Sequence, residues 1–239
     1  MTVIWSNHGD NDTALLENIW KGIDGVNVVE LNKETKDIDW AIISAILAEN
    51  DTLVFAGHGS RNGLFNPSFD GYAFSAEDVG FVKAKNVFCI WCNAYDFCVD
   101  NDLQCLATSM FISNVDEAMS NCIESDAASI DSCDLRFYAE CNYCLKEGMP
   151  MRDMYSYLVS RVDDDSEVDR FNRGGLGLVG KSLGDVVSIL CDFVKKQKSI
   201  PPEYAQLVND NFWDLVGHSS ETDVSQSDVN NGGAFDGVR

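Results

Sequence analysis

Short apolar runs alternate with stretches of helical period along the first half of the chain, the pattern of a parallel α/β sheet. Val3-Ile4-Trp5 reads as a first strand, and Asp12-Thr13 caps a helix whose stripe is Leu15, Leu16, Ile19 and Trp20, ended by Gly22 and Gly25. Residues 26–31 form a second strand, residues 37–49 a helix with Ile38, Ile42, Ala45 and Ile46 on one face, and residues 52–56 a third strand. That is a βαβαβ opening. Gly63, Asn66-Pro67 and Asp70-Gly71 predict a hairpin or flap over 60–75, and Ser75-Ala76-Glu77-Asp78 opens a short helix. Residues 86–91 are apolar throughout, as a central strand covered on both faces should be.

Met110-Phe111-Ile112 reads as strand five, followed by helices over 115–123, 132–147, 151–162, 182–196 and 202–216. Arg170 to Gly177 lacks the Gly-x-x-x-x-Gly-Lys order of a P-loop and reads as a turn into strand six. The expected architecture is α/β, a three-layer sandwich with a mostly parallel central sheet of about six strands and helices on both faces. It forms one domain over 1–216, with a polar, flexible tail over 217–239.

Composition narrows the function. The 239 residues carry 17 Lys+Arg against 39 Asp+Glu, a net charge of −22, with a pI near 4.2. Such a field repels phosphate, so no nucleic-acid footprint and no attraction to anionic membranes is expected. The first residues show no signal peptide and no run suits a membrane span. Nine cysteines, an odd number at low density, fit reduced thiols and a cytoplasmic setting.

In an open parallel sheet, ligands gather beyond the carboxyl ends of the strands. Gly57-His58-Gly59 follows strand three and Cys92 follows strand four, so an imidazole and a thiol leave neighbouring strand tips. An imidazole beside a thiol takes its proton as an acyl carbon is attacked, and the Gly59 and Cys92 amides are candidates for the oxyanion site. His8, Tyr95, Asp96, Ser113 and Asp116, near the same strand ends, are candidate substrate contacts. A glycine-flanked histidine is by itself an ordinary turn residue. Its place one crossover from a strand ending in cysteine is what favours chemistry.

The chain resembles the caspase-like cysteine peptidases (caspases, metacaspases, clostripain, gingipains, separase and CHAT peptidases). The resemblance rests on Thr52-Leu53-Val54-Phe55-Ala56-Gly57-His58-Gly59, on Val87-Phe88-Cys89-Ile90-Trp91-Cys92, and on the intervening Gly63-Leu64-Phe65 and Asp70-Gly71-Tyr72-Ala73-Phe74. Leu106 to Ala118 resembles the segment after their cysteine, and the likeness covers roughly residues 1–120. It implies a His58/Cys92 dyad hydrolysing a protein or peptide substrate through a thioacyl-enzyme, with no resident cofactor. The spacing from His58 to Cys92 is short for the family and requires a compact flap and helix. Relatives that cleave after Arg or Lys carry an acid two residues before the cysteine, where this chain has Ile90. Asp116 or Asp96 would then have to supply the charge.

Other readings compete. Cys89 and Cys98 are alternative thiols, Cys89 being inside the strand. Cys89/Cys92 and Cys141/Cys144 are CxxC pairs, a zinc pattern better explained here by a strand and by one helix face. Asp163 to Glu167 could attract calcium, which some relatives use, but lacks EF-hand spacing and reads as solvated charge. A non-catalytic scaffold that binds a protein partner is the second functional reading. The third is a tetrapyrrole metal chelatase, from the likeness of His58-Gly59-Ser60-Arg61 to their His-Gly-Ser-Arg motif, although only His218 follows as a second histidine.

Overall fold

The computed structural model describes residues 1–48, 51–163 and 165–180. The two predicted helices at 182–196 and 202–216, the tail and His218 lie outside these residues. In chain order the elements are β1 (Thr2–Ser6), α1 (Asn11–Leu15), a 3-10 turn (Leu16–Ile19), β2 (Asn27–Leu31), α2 (Ile38–Leu47) and β3 (Thr52–Ala56). Then come β4 (Gly59–Ser60), β5 (Gly63–Phe65), β6 (Tyr72–Phe74), a 3-10 turn (Val79–Phe81), β7 (Asn86–Ile90), α3 (Ala94–Asp100) and β8 (Cys105–Thr108). The last are α4 (Val115–Ser120), α5 (Ala127–Lys146), α6 (Met151–Val159), α7 (Glu167–Gly174) and β9 (Leu176–Val179).

Six strands form one sheet in the order β2-β1-β3-β7-β8-β9. All pairs are parallel except β8 with β9. The strand alternation sorts side chains into two cores. Val3, Val54, Phe88 and Leu106 point to one face, where Leu16, Ile19 and Trp20 and the buried sides of α5 and α6 cover them. Ile4, Phe55, Cys89 and Ala107 point to the other, against Ile42, Ala45 and Ile46 of α2 and Ala94, Phe97 and Cys98 of α3. The fold is therefore α/β, a mostly parallel sheet with helices on both faces, because each central strand is apolar on both sides. Among the described residues no helix is long and apolar enough to cross a membrane.

Strand five is not where the apolar run places it. Cys105–Thr108 pairs with β7 instead, and Met110-Phe111-Ile112 runs on as a loop in which Phe111 and Ile112 are buried. The backbone of Ile112 finds its partners in a side chain: its N–H donates to Asn172 Oδ1 (2.7 Å) and its carbonyl accepts from Asn172 Nδ2 (2.9 Å). A buried apolar segment needs its polar groups satisfied, and the amide of α7 does so without a ladder. The predicted turn over 170–177 is likewise α7 followed by β9. Arg173, buried on that helix, is matched by Asp169 (2.9 Å), Glu140 (2.6 Å) and the Leu158 carbonyl (2.7 Å), which fixes α7 to α5 and α6. The first helix also begins earlier, capped by Asp10 rather than Asp12.

The expected flap is a three-stranded antiparallel sheet, β4-β5-β6. Gly63 sits at φ +140°, and a Cβ there would lie 2.1 Å from the Phe74 carbonyl oxygen. Gly63→Ala is therefore expected to destabilise the protein by ~1–3 kcal/mol. A urea titration should show a lower midpoint at unchanged slope. An unchanged midpoint would mean that β5 and β6 do not approach this closely.

Candidate active site

The sheet register decides which side chains meet. Trp5 pairs with Ala56 and Ala56 with Ile90. His58 and Cys92 each stand two residues beyond the Ala56–Ile90 pair, and both line one cavity at the carboxyl edge of the sheet. The pairing runs on for one more residue through the Gly57 N–H to the Ile90 carbonyl, 3.2 Å. Gly57 has φ +150°, and a Cβ there would come within 2.8 Å of the Ser6 carbonyl oxygen, so only glycine lets β3 turn beside β1. Asn93, just past the cysteine, adopts φ +65° at the start of α3, a left-handed conformation that asparagine tolerates and that recurs at functional turns.

Gly59 also has a packing role. Its missing Cβ would lie 2.2 Å from the Trp91 ring, whose Nε1 donates to the Ser60 carbonyl at 3.1 Å. The Trp91 amide donates to Thr108 Oγ1 (3.2 Å) and the Asn93 amide to the Ser109 carbonyl (3.0 Å). Between them the Cys92 amide has no partner among the described residues.

His58 Nε2 lies 3.0 Å from Asp10 Oδ2, where a hydrogen on Nε2 would be donated to the carboxylate. Asp10 is itself held by the Thr13 N–H (2.8 Å) and hydroxyl (2.7 Å). Burial works to raise its pKa, but these bonds and His58 outweigh it and hold the carboxyl below its usual range. Imidazole, carboxylate and threonine thus form one chain.

The thiol of Cys92 lies 3.6 Å from the Phe111 carbonyl and 3.8 Å from Glu117 Oε1. Burial, then the Glu117 charge, push it up to about 12. At rest it is a neutral thiol, not one half of a thiolate–imidazolium pair. Glu117 Oε2 accepts from the Ser113 N–H (2.8 Å) and lies 2.9 Å from Ser113 Oγ, which is 3.2 Å from Asp12 Oδ2. One cavity is lined by His58, Cys92, Asp12, Thr13, Ser113, Phe111 and Tyr138. Asp134, buried nearby on α5, is raised to about 8, first by burial and then by the Asp12 charge.

Of the proposed substrate contacts, only Ser113 lines this cavity. His8 stacks edge-on against His58 (5.0 Å), but both its ring nitrogens face carbonyls, Ser6 at 3.1 Å and Asn66 at 2.9 Å. Burial, then the His58 charge, lower its pKa. Tyr95 packs its ring against Gly177 of β9, and Asp96 and Asp116 sit exposed on the first turns of α3 and α4. Asp163 is spent on Arg136 at 3.1 Å. Cys141 and Cys144 are both buried on the packed face of α5. Asp10, Asp12 and Glu117 were not among the sequence candidates. Asn114-x-x-Glu117 has capping-box spacing, and Asp10 follows a strand tip, the two signals that point to them.

No family model, no curated protein and no solved structure matches this chain.

Glu117→Gln keeps the acceptor for Ser113 but removes the charge beside the thiol. The Cys92 pKa should therefore fall, and its alkylation by iodoacetamide at pH 7.5 should speed up by about three- to tenfold. Peptide-resolved mass spectrometry reads this at Cys92 alone. An unchanged rate would mean that Glu117 does not govern the thiol.

Proposed function

We propose that this chain is a cysteine peptidase of caspase-like architecture, with Cys92 as nucleophile and His58 as proton carrier. The observation that carries the reading is that His58 and Cys92, each two residues beyond the Ala56–Ile90 pair, line one cavity, with Asp10 against His58 Nε2. As Sγ adds to a peptide carbonyl carbon, its proton passes to His58 Nδ1, and the Asp10 carboxylate stabilises the imidazolium. The Cys92 and Gly59 amides hold the oxyanion. The imidazolium then gives its proton to the leaving amine as the C–N bond breaks. Water, deprotonated by His58, hydrolyses the thioester and returns the thiol.

Asp12 and Glu117 supply the negative charge that Ile90, Asp96 and Asp116 do not. Asp12 at the cavity and Glu117 beside the thiol favour a protein or peptide substrate with a cationic side chain before the scissile bond, and such a cation would offset the Glu117 charge that adds to burial in raising the thiol.

One observation favours the second reading, a scaffold that binds a partner without cleaving it: the thiol rests against a carboxylate with its pKa raised. The chelatase likeness gains no such support, since Arg61 is bound to Asp100 at 2.7 Å and Ser60 Oγ faces the Tyr72 hydroxyl at 3.3 Å.

Acyl-mimicking electrophiles carrying Arg, Lys, Asp or Leu before the warhead separate these readings by intact mass at limiting dose. The peptidase reading predicts single labelling at Cys92, fastest with Arg or Lys. His58→Ala should slow it by about 10²-fold or more, and Asp10→Asn by less. Slow labelling scattered over several thiols, unaltered by His58→Ala, would leave the scaffold.

A further inference from the structure

Cys89 in β7, Cys98 in α3 and Cys105 in β8 come from three separate elements, and their Sγ atoms all lie within 4.8 Å of one another. We propose that these three thiols form a three-coordinate site for a soft monovalent metal ion, Cu(I). The inference does not depend on the peptidase reading, because none of the three lines the Cys92 cavity.

The donor set selects the ion. Thiolate sulfur prefers Cu(I), zinc and iron–sulfur clusters, and the latter two require four ligands. Among the described residues no histidine or carboxylate joins the three sulfurs. Their surroundings are apolar, with Phe55, Val87, Phe97 and Leu103 in the same core, so water is not at hand as a fourth ligand. A trigonal centre with metal–sulfur bonds near 2.3 Å has sulfur–sulfur edges of about 4.0 Å, so the sulfurs need close in by only roughly half an ångström. Small side-chain rotations supply that. Cys105 keeps 4% exposure, and ion entry falls to its side of the cluster.

Coordination by all three sulfurs needs thiolates, so the thiol protons leave to solvent as Cu(I) enters. Copper stays in the +1 state throughout, and no oxidant or reductant is needed.

An ion here would join the strand that delivers Cys92 to the helix that leaves it, since Cys89 and Cys98 flank that turn. Occupancy should raise the unfolding temperature by about 5 °C or more.

The test uses the full, reduced chain titrated anaerobically with the Cu(I)–acetonitrile complex against bathocuproine disulfonate. One Cu(I) per chain should be retained, with a near-ultraviolet sulfur-to-copper absorption and a raised melting temperature. All three signals should be lost in Cys98→Ala and Cys105→Ala and kept in Cys122→Ala/Cys133→Ala and Cys141→Ala/Cys144→Ala. X-ray absorption of the wild-type complex needs no variant, and it should show three sulfur neighbours and no nitrogen or oxygen. Copper lost entirely to the competitor, copper retained by Cys98→Ala, two-coordinate sulfur, or tighter binding of zinc would each overturn the proposal.

Discussion

Parallel pairing of Thr52–Ala56 with Asn86–Ile90 sets the geometry of everything at the carboxyl edge of the sheet. Side chains alternate along a strand, so a slip of one residue would carry Cys92 or His58 to the opposite face and separate them. The register is held because both strands bury apolar residues on both faces, Val54 and Phe88 to one core, Phe55 and Cys89 to the other. Glycine finishes the arrangement. Gly57 lets β3 turn beside the Ser6 carbonyl, and Gly59 leaves room for the Trp91 ring that closes over the turn.

Around this pair the charges pull in opposite directions. Asp10 lies against the imidazole, while burial, then the Glu117 charge, raise the thiol. A resting site of this kind is nearly inert towards bulk electrophiles, because the thiolate is the reactive form. Asp12 and Glu117 are also where a cationic side chain would settle. Substrate recognition and thiol activation therefore act through one set of residues in the proposed reading.

The alternation of apolar runs was enough to read the strands before Ile90 and the flap, since each depends on local period. What was not legible depends on contacts distant in sequence. Met110-Phe111-Ile112 looks like a strand, but the strand is Cys105–Thr108, a less apolar run whose place is set by β7 and β9. The Asn172 amide that satisfies Ile112 is 60 residues away. Asp10 and Glu117 were hidden among 39 acidic residues, and only the meeting of α1, β3 and α4 at one edge distinguishes them. Tyr95 and His8 looked available for a substrate because sequence does not show that a glycine and two carbonyls already engage them.

In the proposed reaction Cys92 takes an acyl group with the help of His58. Acid-quenching a mixture of the protein with a peptide ester bearing arginine before the ester bond, followed by digestion and mass spectrometry, traps that acyl group directly. The expected result is a mass increase of one peptidyl group on the fragment containing Cys92, absent in Cys92→Ala and greatly slowed in His58→Ala. No adduct, or acylation spread equally over other cysteines, would contradict it.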